Sequence, residues 1–340
     1  MVKPNLVSNG VKVDYFPRAQ FVKAPLILDG FSRTGKFLLG SVVASMVNVE
    51  YIQNPLLLET ALYLTRLGKI DIETAKILVQ TDIDFNSYNM AIGRGLNLRE
   101  EDESSILNSV NPEKFLLRAK SENPKLLVED FYRQNSLPFY ISHEGICNLS
   151  ILLSIYPSLN MISAQRNPIF LIISWFKKGW GSRWGVDPKA FSIAFAAKGS
   201  PVPWFAVDWA DEYSGLNEMD RIVKSIFCLS LMARTSYNDL SESQRLKLLF
   251  VDFDQLLKSP SKEVLKVSRF IGRKPDENIA KVLLRQRLPR KETPIHSIEI
   301  ENEIRNQLSL EIRPLFQELL DDYQNFWLQL VRNSDNWCES

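Results

Sequence analysis

The chain has 340 residues, 45% hydrophobic and 24% charged, which excludes a disordered protein and predicts a globular one with ample core. A formal net charge of +1 excludes global attraction to nucleic acid or an anionic membrane, so any anion site must be local. Neither an apolar signal core in Met1–Leu6 nor a run of about 20 apolar residues is seen, so no secretion signal and no membrane span are expected.

Residues 1–23 read as a lead-in, with an extra strand near Val11–Phe16. Leu26–Asp29 is a short apolar run that predicts a buried strand, and Gly35–Val47 predicts the helix after it. Val47–Ile52 suits a second strand. Pro55–Leu67 has proline in its first turn and Gly68 beyond its end, the punctuation of a helix. Ile72–Val79, Pro112–Lys120 and Pro124–Tyr132 predict further helices, and Asn97–Ser105 a charged surface loop. Pro138–Ser142 is β-rich and leads through His143-Glu144-Gly145 into the apolar helix Ile146–Tyr156.

Leu159–Ala164 predicts another buried strand, which delivers Gln165-Arg166-Asn167-Pro168 at its end and then the helix Ile169–Lys178. An aromatic-rich insertion, Trp175–Tyr213, follows, and then a helix over Leu216–Thr235. Leu246–Val251 predicts a strand, Pro260–Ile271 a helix stopped by Gly272, and Asn302–Trp327 a long amphipathic helix or pair. Alternating strands and helices predict a three-layer α/β fold, a mostly parallel sheet flanked by helices. One domain over 1–340 is expected, with helical insertions at about 55–135 and the Trp-rich insertion at about 175–215. In such sheets ligands bind beyond the C-terminal strand ends, where Gly30–Phe37, Ser142–Glu144 and Gln165–Pro168 all fall.

The first of these stretches carries the clearest chemistry. Gly30 and Gly35 permit a tight turn, and the helix N-terminus after it aims unpaired N–H groups into that turn. With Arg33 and Lys36 they make a place for a phosphate or sulfate. The stretch is P-loop-like, yet Phe37 stands where G-x-x-x-x-G-K-[ST] needs its magnesium-binding hydroxyl. Arg166-Asn167-Pro168 and Ser174, two helical turns on, can flank a second anion.

These residues resemble the sulfotransferases that use 3′-phosphoadenosine-5′-phosphosulfate (PAPS). That family joins a Lys/Arg-Ser-Gly-Thr-Thr loop after its first strand to an Arg-Asn-Pro…Ser motif at the same offset. The resemblance covers about 24–50, 137–180 and 245–292, the last including Phe250, Asp252, Leu256, Pro260, Phe270 and Gly272. It implies that Arg33, Thr34, Gly35, Lys36 and Phe37 surround the phosphosulfate, with Arg33 also at the leaving oxygen. It implies that Arg166 and Ser174 hold the 3′-phosphate, and that Arg285, Arg287, Arg290 and Lys291 approximate a further 3′-phosphate segment. Leu38 replaces the adenine-stacking aromatic, and Lys36-Phe37 replaces the paired threonines.

For the base, the resemblance points to His143, with Glu59 and Glu50 as alternatives. No metal is implied. Trp175, Trp180, Trp184, Trp204 and Trp209 are read as core by default; alternatively they form an acceptor platform, with Asp208, Asp211 and Glu212 bonding hydroxyls. A saccharide or other small alcohol is the expected acceptor. Two rivals stand beside this reading. One is an ATP-dependent kinase whose strand Leu248–Asp252 ends in a magnesium-organising Asp, the other a non-catalytic glycan- or nucleotide-binding protein on the same fold. Three isolated cysteines, Cys147, Cys228 and Cys338, read as reduced thiols and lead us to expect a cytoplasmic location.

Overall fold

In the computed structural model, which describes residues 15–290 and 297–339, a four-stranded parallel sheet organises the chain. Its strands are β1 (Leu26–Asp29), β2 (Phe139–Ile141), β3 (Asn160–Gln165) and, far along the chain, Leu248–Asp252. The order is β2, β1, β3 and then Leu248–Asp252. Leu26 pairs with Phe139 on one side and Asn160 on the other, and Met161 pairs with Leu248.

Successive strand residues point to opposite faces, and here both faces are covered. Ile27, Tyr140, Met161, Leu248 and Phe250 join one apolar cluster. Leu26, Leu28, Phe139, Ile141, Ile162, Leu249 and Val251 join another. On the first side lie α2 (Leu56–Arg66), α3 (Ile72–Ala91), α6 (Leu149–Ile155), α7 (Pro168–Phe176) and the helix Glu218–Asn238. On the second lie α1 (Lys36–Val43), α4 (Pro112–Lys120) and the helix Pro260–Ile271. The remaining early helix is α5 (Pro124–Arg133). The chain is therefore a three-layer α/β protein.

Some expected elements differ in extent for definable reasons. Val47–Ile52 makes no named strand, because it touches the sheet only through isolated parallel bridges, Val49 to Leu137 and Gln53 to Tyr140. Helix α1 stops at Val43, and Val47 N–H instead donates to Lys274 O at 2.8 Å. Helix α3 runs twelve residues past Val79, because the polar Asp84 inside it is not exposed. Its carboxylate accepts from the backbone N–H groups of Phe21 and Val22, both at 2.8 Å, and it is buried. Of the suggested early strand, Tyr15 and Phe16 are in no strand and Val11–Asp14 lie outside the described residues.

The Trp-rich insertion holds an antiparallel hairpin, β4 (Ala194–Ala197) and β5 (Ser200–Pro203), turned at Lys198 and Gly199 with φ of 48° and 81°. The expected C-terminal helix is several shorter ones, Ser297–Gln307, Arg313–Asp322 and Leu328–Ser334 among them. Among the described residues no helix is long and apolar enough to cross a membrane.

Candidate active site

Strand β1 ends at Asp29, whose buried carboxylate organises the turn after the neighbouring strand β2. Ser142 Oγ donates to Asp29 Oδ1 at 2.6 Å, Gly145 N–H to Oδ1 at 2.8 Å and Ile146 N–H to Oδ2 at 2.8 Å. Between those donors sit His143 and Glu144. Burial raises the Asp29 carboxyl from 3.8 to about 6, although Lys36 and these hydrogen bonds pull the other way. An acid held above its unfolded value binds its proton more tightly in the folded chain. Its stability contribution is therefore largest at low pH and is lost as pH rises from about 4 to about 6. The gap corresponds to about 3 kcal/mol. Urea midpoints should show wild type losing up to that amount relative to Asp29→Asn across this window, then no further change. A difference that grows in favour of wild type as pH rises would contradict this assignment.

Beyond Asp29 the chain turns through Gly30–Gly35. Gly30 has φ of 150°, and a Cβ there would lie 2.7 Å from Ala164 O. Arg33 is left-handed at φ 75°. Lys36, first residue of α1, is buried and folds back across the turn, donating to Gly30 O at 2.6 Å and Phe31 O at 2.9 Å. Burial pulls its ammonium below the ordinary lysine range, against Glu144, Asp29 and Glu59.

Glu144 ties this loop to the β2 turn. Its Oε1 accepts from Ser32 N–H at 3.1 Å and Ser32 Oγ at 3.2 Å, and its Oε2 lies 3.0 Å from the donating Tyr63 hydroxyl. Its own φ of 54° is left-handed, a strained geometry for a non-glycine residue that the surrounding bonds hold in place.

His143 and Glu59, expected as alternative bases, form a pair. Glu59 Oε1 lies 2.8 Å from His143 Nδ1 and accepts from His143 N–H at 2.8 Å. A carboxylate there favours the proton on Nδ1 and leaves Nε2 as the acceptor. Tyr63 also donates to His143 O at 2.7 Å, fixing the backbone. Glu50, the other alternative, is elsewhere. It is buried against Arg118, at 2.6 and 2.9 Å, and Lys114, at 3.3 Å. Burial opposes its charge, but the two cations hold the carboxyl below its usual range. It is committed to a structural ion pair.

Arg33, Arg166 and Ser174 meet, though not as expected. Arg166 donates to Arg33 O at 2.6 Å, and Arg33 Nε donates to Ser174 Oγ at 3.1 Å. Ser174 thus holds the loop arginine. The Arg166 guanidinium lies 5.3 Å from the Phe253 ring centre, and its buried Nε has no hydrogen-bond partner among the described residues. Thr34 donates to Phe31 O at 2.8 Å, within the turn itself.

Two clefts open over these residues. The first, about 1100 Å³, is lined by Arg33, Gly35, Lys36, Phe37, Leu38, Arg166, Phe253 and Arg290 among others. Arg285 and Arg287 do not line it, and Lys291 lies outside the described residues. The second, about 730 Å³, is lined by Glu59, Tyr63, Trp180, Arg183, Trp184, Lys189 and neighbours. They share Ser32, His143 and Trp180. His143 therefore stands where the two clefts meet.

Trp175, Trp204 and Trp209 are core; Trp175 donates to Ser32 O at 2.7 Å, and the Trp204 ring stacks on Tyr63 with centroids 4.3 Å apart. Only Trp180 and Trp184 of the five line a cleft around His143. Asp208, Asp211 and Glu212 line neither; Asp211 pairs with Lys198 at 2.8 Å and Glu212 with Lys224. Asp252, the would-be metal-organising residue, accepts from Asp254 N–H at 2.8 Å as a helix cap and also lines neither cleft. The sequence reading did not single out Tyr63, Glu144 as a loop clamp, Phe253, Arg183 or Lys189. Of these only Glu144 carried a signal, its position beside His143.

A cleft lined by four cations at the end of strand β1 thus meets, at His143, a second cleft lined by Trp180 and Trp184. The chain belongs to the sulfotransferase domain family, whose sequence profile matches residues 24–309. It is a sulfotransferase. None of the curated proteins compared matches it. Similar solved structures include sulfotransferase STF9 from Mycobacterium avium, at 11% identity over 88% of this chain and 76% of that one, with a TM-score of 0.43. The sulfotransferase domain of the Synechococcus PCC 7002 olefin synthase is 13% identical over 92% and 98%, with a TM-score of 0.44. Sulfotransferase STF1 from Mycobacterium tuberculosis is 11% identical over 87% and 76%, at 0.40. Likenesses this slight bear on neither substrate nor mechanism, and membership rests on the sequence match.

Proposed function

We propose that this protein moves a sulfuryl group from PAPS to the hydroxyl of a small acceptor. The observation that carries the reading is the position of His143, between a cleft lined by Arg33, Lys36, Arg166 and Arg290 and a second, aromatic cleft. The residues fit a bisphosphate nucleotide. Four cations line the first cleft, and Phe37, Leu38 and Phe253 offer apolar surface for a base. Arg33, Thr34, Gly35, Lys36 and Phe37 would surround the phosphosulfate; Arg166 and Arg290 would hold the 3′-phosphate, with Ser174 acting through Arg33.

The donor supplies an activated sulfur–oxygen bond. In the transfer the acceptor oxygen bonds to sulfur, and the sulfur–oxygen bond to the 5′-phosphate breaks with its electron pair leaving on that phosphate. His143 Nε2 takes the acceptor proton, while Glu59 holds the imidazole and balances its charge. Arg33 stabilises the charge growing on the leaving phosphate. We further propose a single domain and a cytoplasmic location; two free thiols, Cys147 and Cys228, support the latter.

Calorimetric titration with 3′-phosphoadenosine-5′-phosphate (PAP) and, separately, Mg-ATP tests the donor. PAP should bind at least about tenfold more tightly than Mg-ATP, and Arg166→Ala should remove about one to two orders of magnitude of PAP affinity. Preference for Mg-ATP, or PAP affinity untouched by Arg166→Ala, would overturn the donor assignment.

A further inference from the structure

The proposed base and the donor turn come from different strand ends, and one side chain joins them. Glu144 follows His143 in the turn after β2, and its carboxylate reaches across to the turn after β1. Oε1 accepts from Ser32 N–H at 3.1 Å and Ser32 Oγ at 3.2 Å, and Glu144 N–H donates to Gly30 O at 3.3 Å. Ser32 lines both clefts, as His143 does. The link therefore runs along the boundary between them.

Helix α2 holds the same two residues from the other side. Glu59 and Tyr63, four apart on one helix face, fix the His143 backbone at both of its polar groups. Glu59 Oε1 accepts from its N–H at 2.8 Å, and Tyr63 donates to its O at 2.7 Å. The Tyr63 hydroxyl is shared with Glu144 Oε2 at 3.0 Å, while its ring stacks on Trp204.

Glu144 is 5% exposed, and its backbone is left-handed at φ 54°. Strain of that kind persists only where surrounding contacts over-determine it, and it gathers at active sites. The neighbouring buried carboxylate gives the contrast. Asp29 bonds Ser142, Gly145 and Ile146 and lines neither cleft, whereas Glu144 lines the second.

We propose that Glu144 is a positioning residue for the transfer: by bonding Ser32 and Tyr63 it holds His143 in a fixed place relative to the donor turn. This rests on the sulfotransferase reading of the same site and goes beyond the pairing of His143 with Glu59. The carboxylate then acts through its hydrogen bonds, and an amide should serve nearly as well. In Glu144→Gln the amide oxygen still accepts from Ser32, and its NH2 donates to the Tyr63 hydroxyl, which keeps its bond to His143 O. The rival role is charge: burial pulls the Lys36 ammonium down, and Glu144 is the largest charge opposing that. Under that rival, Gln fails as badly as Ala.

The rate of PAP release from PAPS, with para-nitrophenol, methyl glucoside and water as probe acceptors, separates the two. Glu144→Ala should lower kcat roughly 10- to 100-fold, as a misplaced group does, while KM for PAPS and PAP affinity stay within about threefold. The turn keeps its other holds, Lys36 on Gly30 O and Phe31 O, and Trp175 on Ser32 O. Glu144→Gln should stay within about fivefold of wild type. Added to His143→Ala, Glu144→Ala should cost no more than about twofold, since it acts through the imidazole. Tyr63→Phe keeps the ring on Trp204, removes the shared hydroxyl and should lower kcat about tenfold. The proposal is overturned if Glu144→Gln is as slow as Glu144→Ala, or if the Glu144→Ala and His143→Ala effects multiply. It is equally overturned if the loss falls in KM alone, or if Tyr63→Phe runs at the wild-type rate.

The ring itself gives a reading that needs no turnover. His143 and His296 are the chain's two histidines, so the His143→Ala spectrum isolates the His143 ring nitrogens in 15N NMR. At a pH where the imidazole is neutral, the Nδ1–H tautomer should predominate in wild type and in Glu144→Gln, and a mixture should appear in Glu144→Ala. An unchanged ring in Glu144→Ala overturns the proposal. PAP titration of the same samples reports on the donor. Wild type that does not bind PAP sinks the sulfotransferase reading, and PAP binding with an unchanged ring sinks only the role of Glu144.

Discussion

Replacing His143 by alanine should lower the transfer rate roughly 10²–10⁴-fold while PAP affinity stays within about twofold. The imidazole touches the shared edge of the two clefts, and nothing in the fold depends on it as a core element; its side chain is 23% exposed. Glu59 acts through it, so Glu59→Gln should have a smaller effect, and the two changes should not add. Paired residues that work as one unit lose nearly all their contribution with the first deletion. The measurement is the initial rate of PAP release from PAPS with a saturating acceptor, for both single variants and the double. A double variant slowed by the product of the two single effects would show two independent groups and end the dyad assignment. An unaltered rate in His143→Ala would remove the base altogether.

The elements that could be read from the sequence are those whose signals are local. Pro112–Lys120 and Pro260–Ile271 are found with the bounds expected, because Asn111 caps the first and Gly272, left-handed at φ 64°, stops the second. Strand β1 and its turn were equally plain, since a fully buried strand is a short continuous apolar run. What could not be read is relational. Glu59 and His143 were each legible as a base, but their pairing joins positions 84 apart in the chain. Glu50 has the same chemistry as Glu59, and only the approach of Arg118, 68 residues away, decides that it serves the fold. The tryptophans divide in the same way: composition gathers them in one insertion, while packing sends Trp204 onto Tyr63 and leaves Trp180 at the junction. From the sequence Lys36 reads as a charge offered to the ligand. The structure shows it also bonding the loop's own carbonyls, which only the turn geometry reveals.

The loop geometry itself yields the second large effect, in Gly35→Ala. Gly35 has φ of 86°, where an alanine costs about 1–2 kcal/mol. Its added Cβ would fall less than 3.0 Å from the Phe253 ring, which is buried and cannot move aside without cost. Forcing extra volume into such a place adds about 1–3 kcal/mol, so the variant should lose roughly 2–5 kcal/mol in urea denaturation. PAP affinity should fall as well, since the same ring supports Arg166, and Gly35 and the first residues of α1 line the proposed donor cleft. Adding Phe253→Leu separates the two costs. It makes room for the methyl group and should restore the packing part of the stability, but leaves the backbone strain and removes the surface beneath Arg166. The double variant should therefore regain stability without regaining PAP affinity. Wild-type stability in Gly35→Ala would mean that the loop does not need its left-handed residue. Recovery of affinity in the double variant would mean that Phe253 only fills space, and that Arg166 is held by its bond to Arg33 alone.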